Sequence, residues 1–339
     1  MKYSYFPGCS LEHNAEAYDS SSRAIAGPLG LELVEVDDWN CCGATEYISL
    51  NMTAALALIA RNLAQATKNG LDQMIAPCSA CYLNLSKCDR YMVTTPELAE
   101  RLNTALAAGG LSYQGGTIKV RHLIDVITED VGLKTLASKV TRPLKGLRVA
   151  PYYGCLISRP GLRISEHNPE YPVSLDEILE ALGAEVVDFP LKTHCCGGHM
   201  TQISESTGFD LIRQLVKGAS DYQADMIVTV CPMCHLNLDA FQNGMNNFFK
   251  TNYQVPVAYF TQMIGLAFGM SARQLGFGTS LVSAGPALAK IGEELPAAAP
   301  AAGATKRKRD DKSLPMPTPL AAGQGKGGSG KGQGQEVSR

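Results

Sequence analysis

The chain is poor in charge and in aromatic rings: of its 339 residues 18% are charged, 7% are aromatic and one is tryptophan. So little charge beside 45% hydrophobic residues excludes a largely disordered chain. No apolar run approaches the roughly 20 residues of a membrane span. The opening MKYSYFPGCS holds no apolar signal core, so a cytoplasmic chain without a transmembrane segment is expected. Also missing are a ferredoxin-type Cys-x2-Cys-x2-Cys run and a Gly-rich dinucleotide fingerprint after any expected strand, which argues against a ferredoxin and against a nicotinamide- or flavin-dinucleotide enzyme. Net charge is only −2. Because residues 303–339 carry eight basic and three acidic side chains, the preceding body stands at −7, which argues against nucleic acid as a partner.

What the chain has in abundance is cysteine, eleven in all. In a reducing compartment thiols are seldom kept as disulfides and more often serve metals or redox chemistry. The length suits about two domains of ~150 residues, and the sequence repeats itself accordingly. FPGC ending at Cys9 matches YYGC ending at Cys155; residues 29–43 match 182–197; MIAPCSACYLNL matches MIVTVCPMCHLNL. Cys155 follows Cys9 by 146 positions, Cys195 follows Cys41 by 154 and Cys231 follows Cys78 by 153. A duplicated domain follows from that near-constant register. Short β-rich runs (KYSYFPGC, LELVEV, QMIAPC, IKVRHL; then LRVAPYYGC, AEVVDF, DMIVTVC, VPVAYF) alternate with helical patterns such as TAALALIARNLAQATKNG and FDLIRQLVKGASDYQ. Alternation of this kind predicts α/β domains with parallel sheets, and cysteines at the carboxyl ends of strands, where such sheets place ligands. The expected divisions are a first domain over 1–145, a second over 146–284, and a disordered Ala/Pro/Gly/Lys-rich tail over 285–339. Within that tail KRKR at 306–309 reads as a solvated basic run. GKGGSGK at 325–331 only mimics a phosphate loop, because Gly332 stands where Ser or Thr is needed.

Ten cysteines belong to the repeat: Cys9, Cys41, Cys42, Cys78 and Cys81, then Cys155, Cys195, Cys196, Cys231 and Cys234. Each set is a single cysteine, a Cys-Cys-Gly and a Cys-x-x-Cys. Five thiols exceed the four of a closed zinc site, and adjacent cysteines on an extended backbone diverge too far to make an easy disulfide. Neighbouring thiolates can ligate a multinuclear cluster, and Gly43 and Gly197 leave the backbone free to approach it. Spacing alone thus reads as two equivalent polythiolate metal sites.

The two motifs, with the phrases YFPGCSLEHNAEAYDSS, DWNCCGATE, APCSACYLNL and CPMCHLNLD, closely resemble the HdrB family, the heterodisulfide reductase B subunits with duplicated CCG domains. The likeness covers residue 1 to about residue 269. It implies two Rossmann-like CCG domains related by a pseudo-twofold axis, each five-cysteine set holding a noncubane [4Fe-4S] cluster. The two clusters would face each other across the domain interface, with a substrate disulfide split between them. Further implications are a cubane-cluster (HdrC-like) subunit, a flavoprotein (HdrA-like) subunit, and a disulfide or thiol substrate or a sulfur-carrier protein. One electron per cluster would match the two electrons that disulfide reduction needs. CCG domains also occur in glycolate, glycerol-3-phosphate and lactate-type dehydrogenase complexes as electron relays, which is the competing function; a zinc scaffold is the other.

Around these sets, Cys88 reads as a buried bystander. Asn84 and Asn237, each three residues beyond a Cys-x-x-Cys, are open to two readings, hydrogen bonding to a cluster sulfide or anchoring of backbone. His194, His199 and His235 flank the second set, either as proton donors or as structural groups. The first half has Asn40, Ala44 and Tyr82 in their places, so the halves are chemically unequal. Lys192 and Arg159 are expected in surface salt bridges, and Trp39 is expected to shield Cys41 from water.

Overall fold

The computed structural model describes residues 1–44, 47–159 and 168–292. Strands β1 (Lys2–Tyr5), β2 (Glu32–Glu35), β3 (Gln73–Ile75) and β4 (Lys119–Arg121) form a parallel sheet in the order β2-β1-β3-β4. Strands β5 (Arg148–Tyr152), β6 (Glu185–Val186), β7 (Met226–Thr229) and β8 (Val257–Tyr259) repeat it as β6-β5-β7-β8. Each strand lies within one of the eight β-rich runs of the sequence. Register follows from burial: in the second sheet Val228 sits between Pro151 and Ala258, and β7 is buried at every residue because helices cover both faces.

The helices obey the apolar spacing. Met52–Thr67 starts where the Asn51 side chain accepts the Ala54 N–H at 3.0 Å, and buries Leu56, Ile59, Ala60 and Leu63, positions that share one face. Glu205–Asp221 likewise buries Phe209, Ile212, Val216 and Ala219.

In each half the chain leaves the first strand toward one edge of the sheet and the third toward the other. A crevice therefore opens at the carboxyl ends of β1 and β3, and again at those of β5 and β7, the switch point at which such folds bind ligands. The halves pack reciprocally. Helix Glu16–Ala26 of the first lies on Phe260–Ala267 of the second, while Ser174–Ala181 of the second lies on Leu123–Asp125 and Leu133–Ser138 of the first. Residues from both halves enter one hydrophobic core, and Ser21 Oγ meets Thr261 Oγ1 at 2.6 Å across the seam.

One boundary moves. Residues 285–292, assigned to the tail on composition, pack on the body: Gly285–Leu288 is a helical turn, Ala284 and Ala287 are buried, Leu288 and Ile291 lie against the core, and the Gly292 N–H donates to Lys145 O at 2.7 Å. Small alanines fill space there without the apolar period that marks a helix. The remainder of the expected tail, 293–339, with KRKR and GKGGSGK, lies outside the described residues.

Candidate functional site

The cysteines gather at the two crevices. Cys9 opens the turn Cys9–Glu12 after β1, and Cys155 follows β5. Cys78 and Cys231 cap the helices Ser79–Thr94 and Pro232–Ala240 that follow β3 and β7. Cys81 and Cys234 stand in the first turns of those helices, where hydrogen bonding to Cys42 and Cys78, and to Cys196 and Cys231, followed by burial, pushes both thiols well above the ordinary range. The Cys-Cys-Gly segments come in over them from the loops after β2 and β6.

The result is a continuous string of ten sulfurs. Cys9 Sγ lies 3.6 Å from Cys41 Sγ, and Cys42 Sγ lies 3.0 Å from Cys81 Sγ. Cys41 adjoins Cys42, Cys81 adjoins Cys78, and Cys78 adjoins Cys231 of the other half. From there the string runs on through Cys234, Cys196 and Cys195 to Cys155. Its two ends are accessible: Cys9, Cys41 and Cys195 are exposed and Cys155 is half-buried, whereas the six inner thiols are buried. At the Cys-Cys pairs the titration pattern is the same in both halves, whereas Cys78 is raised and its counterpart Cys231 lowered. Thiol donation from Cys42 and then Cys9 holds Cys41 far below the ordinary thiol range, and donation from Cys155 and then Cys196 does so for Cys195, with Arg159 assisting. Cys42 and Cys196, which donate to those thiolates, are pushed up to about 12. Cys231 is lowered by Cys234 and Cys78 and by the backbone N–H groups of Cys234 and Met233.

Backbone geometry makes room for the sulfurs. Gly43 and Gly197 have positive φ, +63° and +97°, which lets the chain turn back after each Cys-Cys pair. No atom stands within 4 Å of a Cβ built at Gly43, and one built at Gly197 meets the Gly208 backbone, not sulfur. The close approach is instead at Gly8 and Gly154, φ +74° and +70°, where an added Cβ would stand 2.8 Å from Cys81 Sγ and from Cys234 Sγ respectively. Sequence reasoning passed over these two, although each forms the Gly-Cys dipeptide that ends FPGC and YYGC. Asn84 and Asn237 anchor backbone: Asn84 Nδ2 donates to Cys42 O at 3.0 Å, and Asn237 Nδ2 donates to Cys196 O at 3.2 Å and Gly198 O at 2.6 Å, with Cys196 Sγ also in reach at 3.6 Å. Both tie a Cys-Cys-Gly loop to a Cys-x-x-Cys helix.

Beside the second array lies a cavity of about 170 Å³ walled by its five cysteines with Tyr153, Leu156, Met233 and Ser79, the last contributed by the first half. The first array opens at Cys9 and Cys41 into a wider depression lined by Glu12, Glu35, Asp37, Asp38 and Trp39.

Two expectations change. Lys192 is not at the surface: it is 1% exposed, pairs with Asp176 at 2.9 Å and lies 3.8 Å over the Tyr171 ring. Breaking a buried pair leaves an uncompensated charge, so Asp176→Asn should lower stability by about 3 kcal/mol, read as a lower urea midpoint with unchanged slope. Trp39 packs edge-on to Phe6 at 5.4 Å, yet Cys41 stays exposed, so the ring does not seal the first array. His235, open to either role on sequence, is half-buried, stacked on Tyr259 at 4.3 Å with Nε2 3.1 Å from Val257 O, and desolvation lowers its pKa, which fits a structural group. His194 is exposed and His199 half-buried on either side of Cys195 and Cys196. Cys88 is buried, its thiol donating to Leu56 O at 3.5 Å.

The donor set decides what fits. Among the described residues, no three or more His, Cys, Asp or Glu converge on a single point as one metal ion requires. Five sulfurs strung along each crevice suit a core of several irons. The cavity is smaller than the ~300 Å³ lower bound of ordinary organic-ligand pockets, so a flavin or dinucleotide does not fit there. The residues thus fit an iron–sulfur group, with only sulfur offered as ligand.

Comparison with known proteins agrees. The cysteine-rich domain, CCG, matches residues 3–86 and 149–239. The chain is 35% identical to the 8-methylmenaquinol:fumarate reductase membrane anchor subunit of Wolinella succinogenes, over 84% of this chain and 98% of that one. It is 31% identical to the B subunit of the ferredoxin/F420H2-dependent CoB-CoM heterodisulfide reductase of Methanosarcina acetivorans, over 86% and 97%. It is 32% identical to a protein of Archaeoglobus profundus that is described as like the heterodisulfide reductase B subunit, over 81% and 93%. A crystal structure of a hypothetical protein from Helicobacter pylori shares the fold, with TM-score 0.69 and 17% identity, over 83% of this chain and 52% of that longer one. The chain therefore belongs to the cysteine-rich CCG domain family, among the homologues of the heterodisulfide reductase B subunit.

Proposed function

We propose that the chain is the sulfur-transforming subunit of a heterodisulfide reductase-like complex, reducing a disulfide or, in reverse, forming one. The observation that carries this reading is the single string of ten thiols, in which Cys78 of one array adjoins Cys231 of the other. Cys9, Cys41, Cys42, Cys78 and Cys81 would hold one noncubane [4Fe-4S] cluster, and Cys155, Cys195, Cys196, Cys231 and Cys234 the second. Bound there, iron–sulfur clusters would supply one-electron chemistry. The chain's residues do the rest. Buried inner thiols keep water from the junction, while exposed Cys9, Cys41 and Cys195 leave the arrays reachable from outside. Arg159 near Cys195 favours negative charge on sulfur at the second array. Electrons would arrive from a cubane iron–sulfur subunit and ultimately a flavoprotein. No helix among the described residues is long and apolar enough to cross a membrane, and we place the subunit in the cytoplasm.

A second reading is favoured by the Wolinella relative, which is named as a fumarate reductase subunit: here the arrays would be a relay within a respiratory dehydrogenase-type complex. Added thiol separates the two. A catalyst, oxidised and mixed with a thiol substrate, develops a new paramagnetic signal and turns over disulfides with a reduced dye. A relay shows neither.

A further inference from the structure

The two arrays meet where neither half alone could fix the distance. Pro77 and Val230 immediately precede Cys78 and Cys231, and both of their carbonyls accept from one hydroxyl: Tyr18 OH lies 3.0 Å from Pro77 O and 3.2 Å from Val230 O. Tyr18 is fully buried on helix Glu16–Ala26. Its ring stacks on Tyr259 at 4.3 Å and 4°, and Tyr259 stacks in turn on His235, the neighbour of Cys234. Val230 O also accepts from Ser79 Oγ at 3.3 Å, again across the seam. Reactive thiols have no means of holding their own separation; a rigid hydrogen-bonded support sets it.

Resting on the reading of the two arrays as cluster sites, we propose that Tyr18 is a positioning residue whose hydroxyl fixes the approach of the Cys78 loop to the Cys231 loop. The ring alone cannot do this, since stacking on Tyr259 leaves Pro77 O without this donor and Val230 O held across the seam by Ser79 Oγ alone. Tyr18→Phe keeps the stack and removes only the hydroxyl, so it isolates the effect.

The test uses the full chain. Iron content is measured first. The cluster-free chain is then oxidised with diamide, which takes up the two protons and two electrons of each new disulfide, and tryptic peptides are analysed. A link between peptides 69–87 and 218–250 reports contact between the halves, and links within a half serve as reference. In Tyr18→Phe the cross-half link should form about ten-fold more slowly than in the parent, with within-half links unchanged and iron content retained. Ser79→Ala, which removes one of the donors to Val230 O from a helix start, should slow it about three-fold. It decides the matter if Tyr18→Phe does not fold. Unchanged cross-half linking in the folded variants overturns the proposal, even if their melting temperatures fall. A parent chain that binds no iron would overturn the cluster reading instead, and leaves the linking result to be read separately.

Discussion

Cys195→Ala is expected to abolish turnover and to remove about half of the bound iron, and Cys41→Ala to do the same from the other end of the string. Each substitution deletes one sulfur of a five-thiol array. The loss in turnover should exceed the roughly 10–100-fold that follows from disturbing only a ligand's support. The equality of the two variants is the informative part. Disulfide reduction needs two electrons, and the sulfurs follow one another from Cys9 to Cys155, with Cys78 of the first half neighbouring Cys231 of the second. If both arrays act on one substrate, emptying either stops the reaction. Full activity with either array emptied of iron would sink that idea. Cys88→Ala is the control: its thiol meets Leu56 O in the core, so iron and turnover should be retained at a cost of about 1 kcal/mol in stability.

Gly154→Ala should lose the iron of the second array, and Gly8→Ala that of the first. The argument is steric. An added methyl group would stand 2.8 Å from Cys234 Sγ or Cys81 Sγ, inside any relaxed contact, with φ already positive. The sulfur must then move off its ligating position. Gly30→Ala separates this from backbone strain: its φ is +71°, but nothing lies within 4 Å of the new methyl group. It should cost about 1–2 kcal/mol and leave iron untouched. Equal iron loss in Gly30→Ala and Gly154→Ala, measured on folded protein, would show that strain and not the sulfur contact matters.

Much of this was legible in the residues. Eight β-rich runs bounded by turns became eight strands, because buried parallel strands need nothing beyond local apolar runs. The ten cysteines stood out by their repeated spacing, and Asn84 and Asn237 by their matching positions. What could not be read was whatever depends on how the halves meet. No pattern in either half places Cys78 beside Cys231, or puts the Tyr18 hydroxyl between Pro77 and Val230, since those contacts arise only when helix Glu16–Ala26 packs on Phe260–Ala267. Lys192 was misjudged because a lone lysine gives no local sign of burial; its partner Asp176 is 16 positions away. Gly8 and Gly154 were overlooked because the sulfurs they face belong to other segments. The packed residues 285–292 were hidden by a composition that elsewhere marks disorder.

The central claim is that the ten thiols form two polynuclear iron–sulfur sites, and metal analysis of anaerobically purified protein tests it most directly. The account predicts about eight irons and about eight acid-labile sulfides per chain, falling to about four of each in Cys195→Ala. One or two zinc ions per chain with no labile sulfide would contradict it.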